Sequence, residues 1–304
     1  MRILVFSYSQ SGQLDEIIRK LVKPLSSNTV EYVRVVPKPP FPFPWTSSPI
    51  FFDAMPETVL EKSIDIELVP VPSGDYDLII LGYQPWFLSP SLPISSLLQS
   101  DLFKNVVKGK PVISVIGARN MWMNSQLSIN KYIADAGGVM VGNIPVCDTN
   151  NNYVSAATIL YWMLTTRKDR MWGIFPPPGV QQKEIDGMVV WGEIIETHLQ
   201  SNNLPKLQKS LMEAGAIKVP TNILFIEKRA KKIFKVWARI IGKRPKGTVA
   251  RRIWISAFTI YLFIALFLVA PVVLLIYNIL FLPFLFPMVR KEKKRIMMND
   301  FKSL

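Results

Sequence analysis

Between Arg252 and Arg290 the chain runs for 37 residues without a charge: IWISAFTIYLFIALFLVAPVVLLIYNILFLPFLFPMV. A bilayer core takes about 20 helical residues to cross. The run is too long for one ordinary span and nearly long enough for two. Pro271, Pro283 and Pro287 interrupt it, and Tyr277-Asn278 makes a polar break. Both flanks are basic, KRPKGTVARR before and RKEKKR after, and positive charge is retained on the cytoplasmic side. A single span would carry one flank across. A helical hairpin over 253–289, transmembrane or re-entrant, with its bend at 271–278, keeps both inside and is the form expected. Residues 290–304 then form a basic cytoplasmic tail.

The charge of the chain is divided in the same place. Residues 1–226 hold 19 Lys/Arg and 19 Asp/Glu, whereas 227–304 hold 17 and 3, which is the whole net charge of +14. Just ahead of the apolar run, IEKRAKKIFKVWARIIGKR repeats Ile226, Ile233, Val236 or Trp237, and Ile240 at helical spacing with Lys and Arg between. This predicts a basic amphipathic helix over 226–252, in the plane of an anionic membrane surface. Nucleic acid is not an expected partner, because the neutral N-terminal part offers no phosphate-tracking face. The N-terminus lacks a basic segment followed by an apolar one, so no cleaved signal is expected. Together these features place the chain on the cytoplasmic face of the inner (cell) membrane, integrally held. With one cysteine, Cys147, and one histidine, His198, neither a disulfide framework nor a multi-Cys/His metal site is expected.

Residues 1–200 read as a second, different unit. Continuous apolar or β-branched runs at 2–8, 30–36, 76–83, 110–117 and 138–146 alternate with helical patterns at 14–22, 94–100, 124–136 and 153–165. That alternation predicts α/β architecture, a parallel sheet covered on both faces. Ligands of such sheets bind beyond the carboxyl ends of the strands. Three loops leave those ends: 9–13, 82–93 and 117–124. An insertion at 37–60, with seven prolines and the aromatics Phe41, Phe43, Trp45, Phe51 and Phe52, is too apolar for a solvated linker and is expected to be an ordered lid. Residues 201–225 are expected to be a linker.

The first loop, strand–SQSGQ–helix, puts hydroxyls and backbone amides at a helix N-terminus, a cradle for an anion. It lacks a lysine and the Walker pattern, and it lacks the glycine spacing of dinucleotide folds. It resembles the phosphate loop of flavodoxins, with Ser9, Ser11 and Gly12 in matching places and Leu14 where the final hydroxyl would stand. The resemblance implies a flavodoxin-like, doubly wound fold and FMN as cofactor. Ser9, Gln10, Ser11, Gly12 and Gln13 would hold the phosphate. Gln84, Pro85, Trp86 and Phe87 would flank the ring on one side, with Gly117, Arg119, Asn120 and Trp122 on the other.

A broader resemblance rests on YSQSGQL, PPFPFPWTS, FFDAMPE, GYQPWFLSPSLP, GARNMWMN and NNNYVSAATILYWMLTTRKDR. Together these are similar to the dialkylresorcinol condensing enzyme (aromatase) family of flexirubin-type pigment biosynthesis. The resemblance implies a ketosynthase-like partner and a hydrophobic dialkyl-cyclohexane-1,3-dione substrate that is aromatised to a dialkylresorcinol. Arg119 and Asn120 are the catalytic candidates. Condensation itself is not expected: a condensing site needs a cysteine with two histidines, or with histidine and asparagine, whereas the single Cys147 ends a predicted strand and the single His198 falls in a late helix. The alternative is a non-catalytic, membrane-tethered flavodoxin-like scaffold for the partner enzyme.

Overall fold

The computed structural model describes residues 1–301; residues 302–304, the end of the expected tail, lie outside the described residues. The chain opens β1 (Arg2–Ser7), α1 (Gln13–Val22) and β2 (Thr29–Pro37), then α2 (Ser48–Asp53), α3 (Met55–Val59) and β3 (Ile66–Val69). It continues β4 (Leu78–Tyr83), α4 (Leu92–Gln99), α5 (Asp101–Val107), β5 (Pro111–Ala118), α6 (Met123–Asp135), β6 (Val139–Cys147) and α7 (Asn152–Thr165). Next come α8 (Gln182–Asp186), α9 (Met188–Gln200), α10 (Leu207–Glu213) and α11 (Thr221–Gly242). The last element, α12 (Val249–Met297), is 49 residues long.

The six-stranded sheet has the order β3-β2-β1-β4-β5-β6. All neighbours are parallel except β3, which runs antiparallel to β2 at the edge. Leaving β3 aside, the parallel strands follow a 2-1-3-4-5 order, with the direction of winding reversing between β1 and β4. β1 and β4 are buried along almost their whole length, as the continuous apolar runs predict. Helices α1 and α9 pack together on the sheet, and α4 and α6 form a second packed pair. The approach of α1 is close: a Cβ on Gly82, near the end of β4, would lie 2.2 Å from Ile18 Cδ1.

The expected linker at 201–225 is part of the core. Leu207 and Leu211 are fully buried, and Ile217 and Val219 nearly so. α10 turns its apolar side onto β6. The basic helix is buried along one side: Ile223, Leu224, Glu227, Lys231, Ala238 and Ile241 face protein. Its lysines and arginines occupy the remaining surface, and Ile233 and Val236 are exposed.

The expected hairpin does not form. Residues 249–297 are one uninterrupted helix, with wide π-type turns at Ala265–Val269 and Tyr277–Phe281. Each wide turn sits just ahead of a proline, Pro271 or Pro283. A proline removes an N–H and crowds the carbonyl four residues back. In the wide turns the amides of Ala270 and Leu282 reach back to Ala265 O and Tyr277 O, five residues earlier. The turn is locally widened by one residue just ahead of each of these prolines, and the helix continues. The expected tail likewise continues the helix: Ile296 and Phe301 join the main core.

A second, smaller core joins the insertion at 37–60 to the C-terminal helices. Phe52, Met55 and Val59 pack with Ala238, Ile241, Ile255 and Phe258. At its edge the Arg251 guanidinium is buried. Nε donates to Asp53 Oδ1 at 2.5 Å, and Nη1 and Nη2 donate to Glu57 at 3.1 and 2.8 Å.

Candidate functional site

The carboxyl ends of β1, β4 and β5 open into a cavity of about 880 Å3, within the roughly 300–1,000 Å3 range of small-molecule sites. Its polar end is built from the three loops singled out in the sequence. Gln10, Ser11, Gln13, Gln84, Pro85, Trp86, Phe87, Gly117, Arg119 and Asn120 all line it. The remainder is mostly apolar and comes chiefly from α7, α11 and the middle of α12, with Arg229 of α11 as a second cation in the lining. Among the described lining residues there is no carboxylate and no histidine.

The first loop turns on Gly12, whose φ of 82° is one that side chains resist. The helix it opens has no side-chain cap, so its first amides have no intrahelical acceptor. Ser9 Oγ and Gln10 Oε1 are buried without a protein partner. Gln10 Nε2 donates to Pro42 O at 2.9 Å, which pins the insertion over the loop. The Gln13 side chain, expected to hold an anion, is committed elsewhere: it donates to Val180 O at 2.9 Å and accepts from Val180 N at 3.0 Å. It still lines the cavity, as the strap to the segment after α7. Ser9 and Gly12 shape the loop without lining the cavity.

The second loop is a tight hairpin in which Pro85–Trp86 pairs with Ser89–Pro90. Its central residues, Phe87 and Leu88, have φ of 48° and 63°. Left-handed backbone at both central positions is the type I′ turn usually given to Asn-Gly, and each non-glycine residue held there costs roughly 1–3 kcal/mol. Surrounding contacts hold it. Lys231 of α11 donates from Nζ to Leu88 O at 2.9 Å and also bonds Ser89 Oγ. The Phe87 ring packs on Phe51 and Phe52 with centroids 5.2 and 6.1 Å away. Trp86 is ringed edge-on by Tyr8, Phe41 and Trp45. The insertion at 37–60 is thus an ordered wall of the cavity, tied to α7 where Trp45 N donates to Met163 O at 2.8 Å.

In the third loop Arg119 Nη1 donates to Asn152 O and Oδ1 at 2.9 and 3.0 Å, and Asn120 Nδ2 donates to the same Oδ1 at 2.6 Å. Asn120 Oδ1 is buried without a partner. Burial lowers the Arg119 guanidinium to about 10, against the pull of Asp148; it is still cationic at neutral pH. Asp148 accepts from Asn150 N and Ser155 Oγ at 2.8 and 2.6 Å and so fixes the start of α7. Trp122 does not belong to the site. It is 1 % exposed and meets Phe301 edge-on in the core, centroids 6.3 Å apart. The tryptophan looked available in the sequence because the residue that covers it is 179 positions away. Burial pushes the Cys147 thiol up to about 12, and His198 is held between Asn203 O and Ser210 Oγ at 2.8 Å each.

What the sequence reading missed is the apolar end. Ile159, Leu160 and Met163 of α7 line the cavity with Phe225 and Phe234 of α11 and Leu262 and Leu266 of α12. The one available signal was α7 itself, SAATILYWMLT, apolar around most of its circumference and hence in need of cover on more than one side.

No protein-family profile matches the sequence, and no curated protein does. Solved structures similar to it include a flavoprotein in complex with FMN from Lactobacillus acidophilus, at 20% identity, covering 47% of this chain and 89% of that one with a TM-score of 0.37. A flavodoxin from the domain Archaea is 11% identical over 66% of this chain and 99% of its own, TM-score 0.36. A flavoprotein from Bacteroides eggerthii is 15% identical over 55% and 98%, TM-score 0.35. The strand order and direction decide the matter. The fold is flavodoxin-like. In it the three loops fall on the side of the sheet where the winding reverses.

Proposed function

We propose that the chain is a flavin-dependent oxidoreductase that holds FMN in the three loops and a hydrophobic substrate in the adjoining cavity. The observation that carries this reading is the join between two unlike surfaces. A polar rim with partnerless buried atoms at the strand ends (Gln10 Oε1 and Asn120 Oδ1) opens directly onto an apolar chamber. The donor set fits the cofactor. Ser11 and the first amides of α1 suit a phosphate, with Ser9 behind them in the same loop, and the Gln10 and Asn120 oxygens suit its N–H and O–H groups. FMN, when bound, supplies a two-electron acceptor.

The finer reading is aromatisation of a dialkyl-cyclohexane-1,3-dione to a dialkylresorcinol in flexirubin-type pigment formation, beside a ketosynthase-like partner. That conversion removes two electrons and two protons from the ring. Residues of the chain supply binding and charge. α7, α11 and α12 hold the alkyl chains and exclude water. Arg119 stabilises the enolate of the dione. A 1,3-dione enolises without a strong base, which suits a lining that holds no carboxylate or imidazole. Asn152 aims Arg119 and Asn120 together. The substrate partitions into lipid, and we place the enzyme at an anionic membrane surface on the cytoplasmic side.

The test is anaerobic. Protein loaded with FMN and mixed with a dialkyl-cyclohexane-1,3-dione is expected to lose its visible flavin absorbance and to yield the resorcinol. Protein that stays colourless after FMN addition would favour the non-catalytic scaffold. Ser11→Asp, placing a carboxylate beside the phosphate, is expected to weaken FMN binding by about 10- to 1,000-fold in a fluorescence-quenching titration. Unchanged affinity would remove the first loop from the site.

A further inference from the structure

Helix α12 is apolar on every side through its middle, yet its two faces meet different surroundings. Ile255, Phe258, Leu262, Leu266, Tyr277 and Val289 follow one another at helical spacing, all of them buried or half-buried. The stripe continues to Ile296 in the main core. The opposite face is open. Seventeen large apolar side chains between Ile253 and Met288 are exposed, with Phe284 at 84 %; Phe263, Phe267, Val269 and Val273 among them border the cavity, and the others make the open surface. A contiguous apolar surface of this length marks an interaction site.

Both ends of α12 are fastened to the same body. At the start, Arg251 is buried against Asp53 and Glu57. At the end, Glu292 pairs with Lys228, Met297 O accepts from Gln208 Nε2 at 2.7 Å, and Phe301 packs on Trp122. A helix whose two ends rest on one side of one body cannot deliver them to opposite sides of a membrane. Length agrees. At about 1.5 Å per residue the charge-free stretch measures about 55 Å. To fit a hydrocarbon core of about 30 Å it would need a tilt of about 57°, beyond the usual range of about 0–40°.

Resting on the membrane placement proposed above, we infer that the chain docks on one leaflet of an anionic bilayer with α12 parallel to the membrane plane, neither crossing it nor folding into a hairpin. The exposed face of α12 sinks among the acyl chains. Its inner face roofs the cavity, so a lipid-dissolved substrate reaches the site beside the helix. The charges fit such a surface. Arg252 stands exposed at one end of the apolar face and Arg290, Lys291 and Lys294 at the other. A second copy of the chain is the poorer occupant, since it would bring the like-charged ends of two such faces together.

The experiment uses the full chain with vesicles. Flotation is expected with phosphatidylcholine/phosphatidylglycerol vesicles and to be weaker with phosphatidylcholine alone. Removing Arg290, Lys291 and Lys294 together (each →Gln) is expected to lower partition by about 5-fold per residue. Single cysteines at Ile260, Leu268, Leu275 and Phe284, labelled with a polarity-sensitive dye, are then read by depth-dependent quenching. One shallow depth at all four positions supports the in-plane helix. A depth profile deepest at Leu268 and Leu275, with the ends near opposite surfaces, would overturn it while leaving the membrane placement intact. Failure to float with either vesicle would overturn the placement itself. Self-association without flotation would assign the face to a second copy.

Discussion

Strand β4 and the middle of α12 are alike in composition and opposite in exposure. LIILGY in β4 is buried at every position, whereas the stretch from Phe267 to Ile276 exposes most of its side chains. Hydrophobicity determines that each segment leaves water. What receives it depends on the neighbours. β4 has a strand on either side and helices above and below. α12 has protein on one face only, and in the membrane placement proposed above the other face meets lipid. An apolar residue is therefore a stability element in the first region and, on the docking proposed above, a membrane contact in the second.

The sharpest way to break that contrast is to truncate one side chain in each. Ile80→Ala, at a fully buried position of β4, is expected to cost about 2–5 kcal/mol. Leu268→Ala, on the open face of α12, is expected to change stability by less than about 0.5 kcal/mol and to weaken vesicle binding. Urea unfolding in mild detergent, followed by tryptophan fluorescence, reads both. Equal losses would mean that α12 is an ordinary core helix.

The next effect concerns the seam between the two regions, where Glu227 of α11 meets the start of α6. Its Oε1 accepts from Asn124 N at 2.7 Å, while Oε2 is buried without a partner. Burial pushes the carboxyl up to about 7, against the bonds from Asn124 and Met123 and the pull of Lys231. The folded state thus keeps a proton that the unfolded chain releases near its ordinary value of 4.5. The contribution is full below that value, is lost as pH rises toward 7, and changes little beyond. The whole loss is on the order of 3 kcal/mol. Glu227→Gln is expected to flatten the stability profile across that window; an unchanged slope would place the titration elsewhere.

A smaller effect sharpens the comparison at the start of α12. Glu57→Gln removes one of the two carboxylates that balance the buried Arg251. The expected cost is about 1.5–3 kcal/mol. It should fall on the small core of α3, α11 and α12 and leave the sheet intact. Hydrogen exchange is expected to quicken in 249–264 and stay slow in β1 and β4. Uniform quickening would show that the two regions unfold as one.

Period and composition alone determined much of this protein. The five parallel strands, α1, α4, α6 and α7 were legible because side-chain alternation and apolar runs are local properties. So were the three loops at the strand ends, since a strand followed by a helix leaves its turn on one side of the sheet. The antiparallel edge strand β3 is four residues long, too short to carry a period. Tertiary structure alone decided the rest. Trp122 stood beside good site residues in the chain but points into the core under Phe301. The strained turn at Phe87 and Leu88 is held by Lys231, more than 140 residues away. Three prolines and a polar pair suggested a bend in the apolar run. The helix stays continuous: wide turns precede Pro271 and Pro283, Pro287 sits within the last α-helical stretch, and Arg251 and Phe301 fasten the ends to the same body. A local pattern states which residues must leave water. Contacts between distant segments state which face of a helix does so, and against what.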